Sequence, residues 1–248
     1  MNVGRKPLVV GVDGCKAGWL AISIDGRRSV EVEIFQTMDS LWDSWGESAA
    51  SVLIDVPIGL PDAESARACD REARALLKWP RASSVFNPPV RSALSAQTIT
   101  QAKALNQSAS GRRITQQTWA IFPKIREVDR FIRSAPDRQR HLREVHPEVL
   151  FHVLNRGSQL NHPKRRTKGI QERLEILERY FGSARATAES AFRSIPRRVA
   201  KRDDVVDALA AAVVAHEFSG RLGAIPEIPR RDSVGLTMEM VIPTLVGE

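Results

Sequence analysis

The stretch Leu8–Asp25, LVVGVDGCKAGWLAISID, decides the fold expected for this chain. Two apolar runs, residues 8–12 and 19–24, are joined by a short segment with glycine at both ends, which is typical of an antiparallel hairpin. The first run ends at one carboxylate, Asp13. A carboxylate at the end of a buried strand loses its hydration, and this costs free energy unless the charge is paired, for example with a cation. On this stretch alone the commoner explanation is a tight turn at Asp13 and Gly14, so the position of the other acids becomes decisive.

Length and composition indicate a soluble globular protein. The 248 residues fit one large domain or two small ones, and 42% of them are hydrophobic, which is ordinary for that class. The N-terminal segment has no secretory signal pattern, and no apolar run approaches the roughly 18 residues that cross a bilayer. The two cysteines, Cys15 and Cys69, have no metal-ligand spacing and favour a reducing compartment. We expect a cytoplasmic protein with no membrane partner.

The charge balance favours a polyanionic partner. The chain has 37 Lys and Arg against 29 Asp and Glu, a net charge of +8. This excess favours contact with nucleic acid, although arginine-rich proteins reach it without such a partner. Arginine is a fork-shaped phosphate ligand, and exposed basic loops contact phosphate backbones or are simply solvated turns. The candidate nucleic-acid-binding residues are Lys16, Arg91, Lys124, Arg165 and Arg166.

The order of predicted elements indicates an α/β fold. After the hairpin we expect strands at 29–35, 51–56 and 141–146, and helices at 39–48, 63–79, 148–155, 170–181 and 203–219. The later strands need crossover connections, which imply a partly parallel sheet with helices on its faces. We predict a single domain, 1–248, with a mixed sheet of about five strands and a mainly helical insertion at 80–140, where prolines interrupt the pattern. Residues 235–242 would add an edge strand.

Carboxylates follow the predicted strands. Parallel strands bind ligands beyond their carboxyl ends, and Asp13, Asp55 and Glu148 lie at such ends. In the last helix, Asp204 and Asp207 are three residues apart and share one face. That face continues with small alanines, which would let the helix approach the sheet closely. Helix capping and the helix dipole account for acids in the first turn, but not for Asp207.

A cluster of carboxylates favours a divalent cation. Gathered acids repel one another unless a cation neutralises them, and Mg²⁺ prefers oxygen ligands. Two such ions about 4 Å apart can cleave a phosphodiester. An acidic cluster in a basic protein therefore suggests a nuclease that uses Mg²⁺ or Mn²⁺ on DNA or RNA.

Several motifs resemble those of the RNase H-like superfamily: GVDG (11–14), IDVPIG (54–59) and DDVVDALAAA (203–212). Over nearly its full length the chain most resembles an uncharacterised family of predicted RNase H-like nucleases, through CDREAR (69–74), SSVFNPPVR (83–91), PKIREVD (123–129) and HPEVLF (146–151). The resemblance implies an RNase H-like fold. It also implies metal ligands at Asp13, Asp55 and Asp204 or Asp207, with Glu148 as a fourth acid.

Two other functions fit the same core. Sugar-kinase and actin-like proteins also place an Asp at the first hairpin, although they usually have two copies of the core, and this chain is long enough for one. A scaffold that binds nucleic acid without cleaving it is the third hypothesis.

Overall fold

The computed structural model describes residues 7–63 and 66–245, and these form two compact units. The first unit spans 7–55, 140–223 and 241–245, and the second spans 56–63, 66–139 and 224–240. The second unit thus begins well before residue 80, where the insertion was expected, and takes in part of the C-terminal region. Within the described residues, no helix is long and apolar enough to cross a membrane.

The first unit contains a five-stranded sheet in the order β3-β2-β1-β4-β5. Its strands are β1 Val9–Cys15, β2 Gly18–Ile24, β3 Val30–Phe35, β4 Ser51–Ile54 and β5 Leu142–Glu144. The first three strands pair antiparallel, whereas β1, β4 and β5 run parallel. The predicted α/β fold with a mixed five-stranded sheet is confirmed.

The helices of the first unit are α1 Met38–Leu41, α6 Pro147–Leu154, α7 Thr167–Glu178, α8 Ala184–Ser194 and α9 Arg202–Glu217. The helix predicted at 39–48 forms as α1, which Thr37 caps, and a π-helical turn, Trp42–Gly46, that continues it directly. Glu148 follows Pro147 in the first turn of α6 rather than ending a strand, since proline is favoured at the first helical position.

Helix α9 packs directly on the sheet. A side chain at Gly11 would bring its Cβ within 2.2 Å of both Ala208 O and Ala212 N of the helix. Glycine in β1 and alanines in α9 therefore permit contact between the two backbones. Thirteen residues of α9 are buried, which explains why it was recognisable as a strong apolar helix. This contact brings the start of α9 to the carboxyl end of β1.

The second unit is mainly helical. Its helices are α2 Ala68–Leu77, α3 Ile99–Ser110, α4 Gln116–Ala120 and α5 Phe122–Ser134. Two residues of the helix predicted at 63–79, namely 64 and 65, lie outside the described residues. Strands β6 Leu222–Arg231 and β7 Thr237–Pro243 pair with each other in a separate two-stranded sheet. The strand predicted at 235–242 therefore forms as β7, but it is not an edge strand of the five-stranded sheet.

Candidate acidic site at the end of the sheet

Asp13 and Asp55 lie side by side at the carboxyl ends of two parallel strands. Val12 of β1 is in register with Ile54 of β4, and each carboxylate residue comes next. The Asp55 amide donates to Val12 O at 3.0 Å, so the pairing continues to this point. Asp13 is itself inside β1, opposite Leu20, and only 9% of its surface is exposed. The turn hypothesis for Asp13 is therefore wrong: it is a strand residue in a buried position.

Helix α9 contributes two more acids with different surroundings. Asp204 lies in the first turn, where its carboxylate accepts a hydrogen bond from the Lys201 amide at 2.7 Å. Asp207 lies one turn further on, is 2% exposed, and makes a contact with Lys164. Capping thus accounts for part of the role of Asp204, as the sequence indicated, and does not account for Asp207. Asp203 also lies inside the helix, whose N-cap is Lys201.

Lys164 provides the cation of the cluster. Its Nζ lies 2.6 Å from Asp207 Oδ2, and its side chain is 35% exposed. Burial alone would lower the pKa of Lys164, but Asp207, Asp55 and Asp13 raise it above its ordinary value, so the ammonium stays charged. Lys164 is thus directed at the acids.

Glu148 is engaged by an arginine. It is 5% exposed and forms an ion pair with Arg173, which is 1% exposed and also donates to Gly169 O at 3.0 Å. The charge of Glu148 still acts on the cluster, because it raises the pKa of both Asp55 and Asp207. The fourth acid predicted from the sequence therefore belongs to the same electrostatic network.

The carboxyl groups destabilise one another's charged forms. Burial is the largest cause in each case. Together with the charges of Asp55, Asp207 and Asp204, burial raises the pKa of Asp13 well above its usual range. The pKa of Asp55 reaches about 7 through burial and the neighbouring acids, although Lys164 opposes the rise. The pKa values of Asp204 and Asp207 are also raised, again chiefly by burial. Nearby cations, including Lys164, oppose these rises, and the pKa of each acid nevertheless stays raised.

The chemistry of this donor set fits a hard divalent cation. All the acids supply oxygen, the ligand type that Mg²⁺ and Mn²⁺ prefer. Asp207 Oδ1 is buried and has no hydrogen-bond partner among the described residues, so its lone pairs are available to a cation. Among the residues that the structure describes, no group of three or more His, Cys, Asp or Glu side chains is arranged to hold a metal ion. Lys164 instead occupies the position nearest to Asp207.

A basic pocket adjoins the acids at the start of α9. It has a volume of about 280 Å³, and its charged lining consists of Arg165, Arg197, Lys201, Arg202 and Asp203. The guanidinium of Arg165 contacts Asp203 at 3.4 Å. The pocket is continuous with the acidic site along the chain, because Arg165 follows Lys164 and Asp203 precedes Asp204. Arg165 is thus the one predicted nucleic-acid contact that lines this pocket.

The other predicted nucleic-acid contacts are spread through both units. Lys16 is exposed in the turn between β1 and β2, and Arg166 is exposed just before α7. Arg91 belongs to the second unit, where it forms ion pairs with Asp129 at 2.9 Å and with Asp232. Lys124 lies in the first turn of α5, also in the second unit. The guanidinium of Arg91 already has two carboxylate partners, which favours a structural role.

The comparison with family models identifies the relationship. A model described as "Protein of unknown function (DUF429)" matches residues 11–232. The chain belongs to this family. The match confirms the predicted membership of an uncharacterised family, and DUF429 itself has no function in its description. No curated protein and no solved structure matches the chain.

The sequence does not single out two residues of this site. Lys164 stands next to Arg165 and Arg166, and nothing local distinguishes it from them. Arg173 had a usable signal: it lies between Ile170 and Leu177 on the buried stripe of α7. A charged residue on an apolar helix face needs a buried counter-charge.

Proposed function

We propose that the protein is a divalent-cation-dependent nuclease that cleaves phosphodiester bonds of DNA or RNA at the acidic cluster. One observation supports this more than any other: burial, together with neighbouring acids, raises the pKa values of Asp13, Asp55, Asp204 and Asp207 at one end of the sheet. Such a group is unfavourable for stability and suits a cation-binding function.

The chain's own residues have separate roles in this proposal. The carboxylates of Asp13, Asp55 and Asp207 would hold Mg²⁺ or Mn²⁺, with Asp204 and Glu148 at the edge of the set. The bound cation would activate water and neutralise negative charge developing on the phosphate. The basic pocket at the start of α9 would hold the backbone through Arg165, Arg197 and Lys201. The net charge of +8 would raise the local concentration of the polyanion.

We also propose a cytoplasmic location. Both cysteines, Cys15 and Cys69, are buried thiols, as expected where thiols remain reduced. Measurement of the protein in fractionated cells tests this directly. Recovery in a membrane or extracytoplasmic fraction would contradict it.

The deciding experiment is cleavage of single- and double-stranded DNA and RNA by the purified full chain. We expect cleavage with Mg²⁺ or Mn²⁺, loss of cleavage in EDTA, and loss in Asp13→Asn. The same substitution should preserve or tighten binding, because it removes negative charge that faces the phosphates. Asp43→Asn, which alters an exposed acid of the same unit, is the matched control and should retain full activity.

Each competing function has its own result in this experiment. A small-molecule phosphotransferase would consume ATP and leave nucleic acid intact. A scaffold would bind nucleic acid equally well with and without Asp13 and never cleave it. Full metal-dependent cleavage by Asp13→Asn would indicate a contaminating nuclease or another site, and would refute the proposal.

A further inference from the structure

A second cavity lies within the second unit and is independent of the acidic cluster. Its volume is about 420 Å³, and its walls come from residues 83–90 and 106–118 together with Arg74 of α2. This volume falls in the range of small-molecule sites, about 300–1,000 Å³. The function proposed above makes no use of this cavity.

The lining of the cavity is positively charged. Arg74, Arg112 and Arg113 line it, and no described lining residue is an acid. Arg74 Nε donates to a backbone carbonyl oxygen at 2.9 Å, and its Nη2 donates to the side chain of Asn87, so neutral acceptors fix its guanidinium. Burial lowers the pKa of Arg74, although the charge of Asp70, which is not among the lining residues, opposes this. Such a cavity attracts an anion.

Two other arginines of the same unit are paired with carboxylates. Arg67 is fully paired with Asp70, with Nη2 at 2.7 Å from Oδ1, and Arg91 is paired with Asp129 and Asp232.

A third, Arg126, resembles Arg74 in donating to backbone carbonyl oxygens. What distinguishes the cavity is that three arginines line it together and that no described lining residue is an acid.

The walls of the cavity are held in place before any ligand binds. Asn106 is 6% exposed and connects the two segments that form them. Its Oδ1 accepts from the Val90 amide at 2.8 Å, and its Nδ2 donates to Arg112 O at 2.7 Å and to Ser110 Oγ at 3.1 Å. A preformed site loses less entropy when a ligand binds.

The rest of the lining suits a ring with polar edges. Phe86, which is partly exposed, and Ile114 provide apolar surface, while Gln117 and Thr115 provide amide and hydroxyl groups. Aromatic stacking binds a base of any sequence, and amide groups can bond its edges. A phosphate would occupy the arginine side of the cavity, and a base the side of Phe86.

We propose that this cavity binds a nucleoside phosphate, either as a free mononucleotide or as the phosphorylated end of a nucleic-acid chain. The shared chemistry is one phosphate held by Arg112, Arg113 and Arg74 beside one stacked base. The proposal does not depend on the nuclease assignment, because the two sites use no common residue.

Calorimetric titration of the full chain in EDTA tests the proposal, with AMP, GMP, CMP and UMP as probes. EDTA removes divalent cations, so the acidic cluster does not contribute. We expect saturable binding of at least one nucleotide, with the nucleoside lacking phosphate at least about tenfold weaker. A 5′-phosphorylated oligonucleotide that binds more tightly than the free nucleotide would identify a chain end as the source.

Variants locate the binding within the molecule. Arg112→Ala with Arg113→Ala should weaken nucleotide binding by at least about tenfold, since two charge-assisted contacts are removed. Arg130→Ala, an exposed arginine of the same unit outside the cavity, is the matched control and should change nothing. Thermal unfolding of each variant verifies folding. Three results would overturn the proposal: no nucleotide binding, equal binding by the double variant, or inorganic phosphate that binds as tightly as any nucleotide. None of these results would bear on the proposed cleavage at Asp13.

Discussion

Asp55 occupies a position where its charged form is unfavourable, because burial and the neighbouring acids raise its pKa to about 7. The ordinary carboxyl pKa, which applies in the unfolded chain, is 3.8. Between these two values the folded state binds more protons than the unfolded state, so stability falls as the pH rises from about 4 to about 7. The contribution of Asp55 to stability is thus fully present below pH 3.8 and lost as the pH passes about 7.

We therefore predict that Asp55→Asn, in metal-free buffer, is more stable than the parent protein at pH 8. The gain should shrink as the pH approaches 4, since Asp55 is then protonated in the parent. Urea unfolding at several pH values measures this. The exposed Asp43→Asn should show no such pH-dependent gain. A variant less stable than the parent at pH 8 would mean that the carboxylate stabilises the fold.

Lys164 and a divalent cation would compete for the same carboxylate. Lys164→Met removes the ammonium 2.6 Å from Asp207 Oδ2 and leaves a buried acid without its partner. We predict lower stability in EDTA, by about 1–3 kcal/mol because the lysine is partly exposed, and tighter binding of Mn²⁺ than in the parent. Thermal unfolding and a Mn²⁺ titration followed by electron paramagnetic resonance measure the two effects.

The control for this prediction is Lys168→Met, which removes an exposed charge from the same basic segment. It should alter neither stability nor Mn²⁺ binding. Weaker Mn²⁺ binding by Lys164→Met would contradict the competition, and would indicate that the lysine orders the acids for the metal.

At the scale of elements, the contact between β1 and α9 determines whether the acids meet. A methyl group at Gly11 would be 2.2 Å from two backbone atoms of α9, and backbone cannot move aside as a flexible side chain can. We predict that Gly11→Ala costs about 1–3 kcal/mol of unfolding free energy and reduces activity at the acidic site. Gly182→Ala, with no atom within 4 Å of the new Cβ, should be neutral. Equal stability of the two variants in urea unfolding would refute this.

The elements also show how far the sequence specified the structure. The strand ending in Asp13 and the helix containing Asp207 were predictable because apolar runs and helical spacing are local signals. The position of Asp13 inside β1 was not, since a strand residue and a turn residue share the same local pattern. Lys164 was beyond sequence reasoning, because only long-range folding brings it to Asp207. The division at residue 56 follows from contacts with residues 224–240, which no local pattern reveals.

At the scale of the whole molecule, a net charge of +8 coexists with a buried group of acids. The charges are sorted within the first unit: the acids gather at the ends of β1 and β4, and the cations of the basic pocket gather at the start of α9. A nucleic-acid backbone would then be held by the pocket while its phosphate approaches the acids. Association through these cations would release counterions, so the logarithm of the affinity should fall linearly with the logarithm of salt concentration.

The number of cations involved can be measured from that slope. We predict that Arg197→Ala with Lys201→Ala reduces the magnitude of the slope by about one to two, since each phosphate contact contributes about 0.7–0.9. Arg27→Ala with Arg193→Ala removes the same charge from exposed positions of the same unit outside the pocket, and should leave the slope within about half a unit of the parent's. Asp13→Asn should keep the parent slope, because it removes no phosphate contact. Equal reductions in both double variants would show that net charge, rather than the basic pocket, holds the nucleic acid.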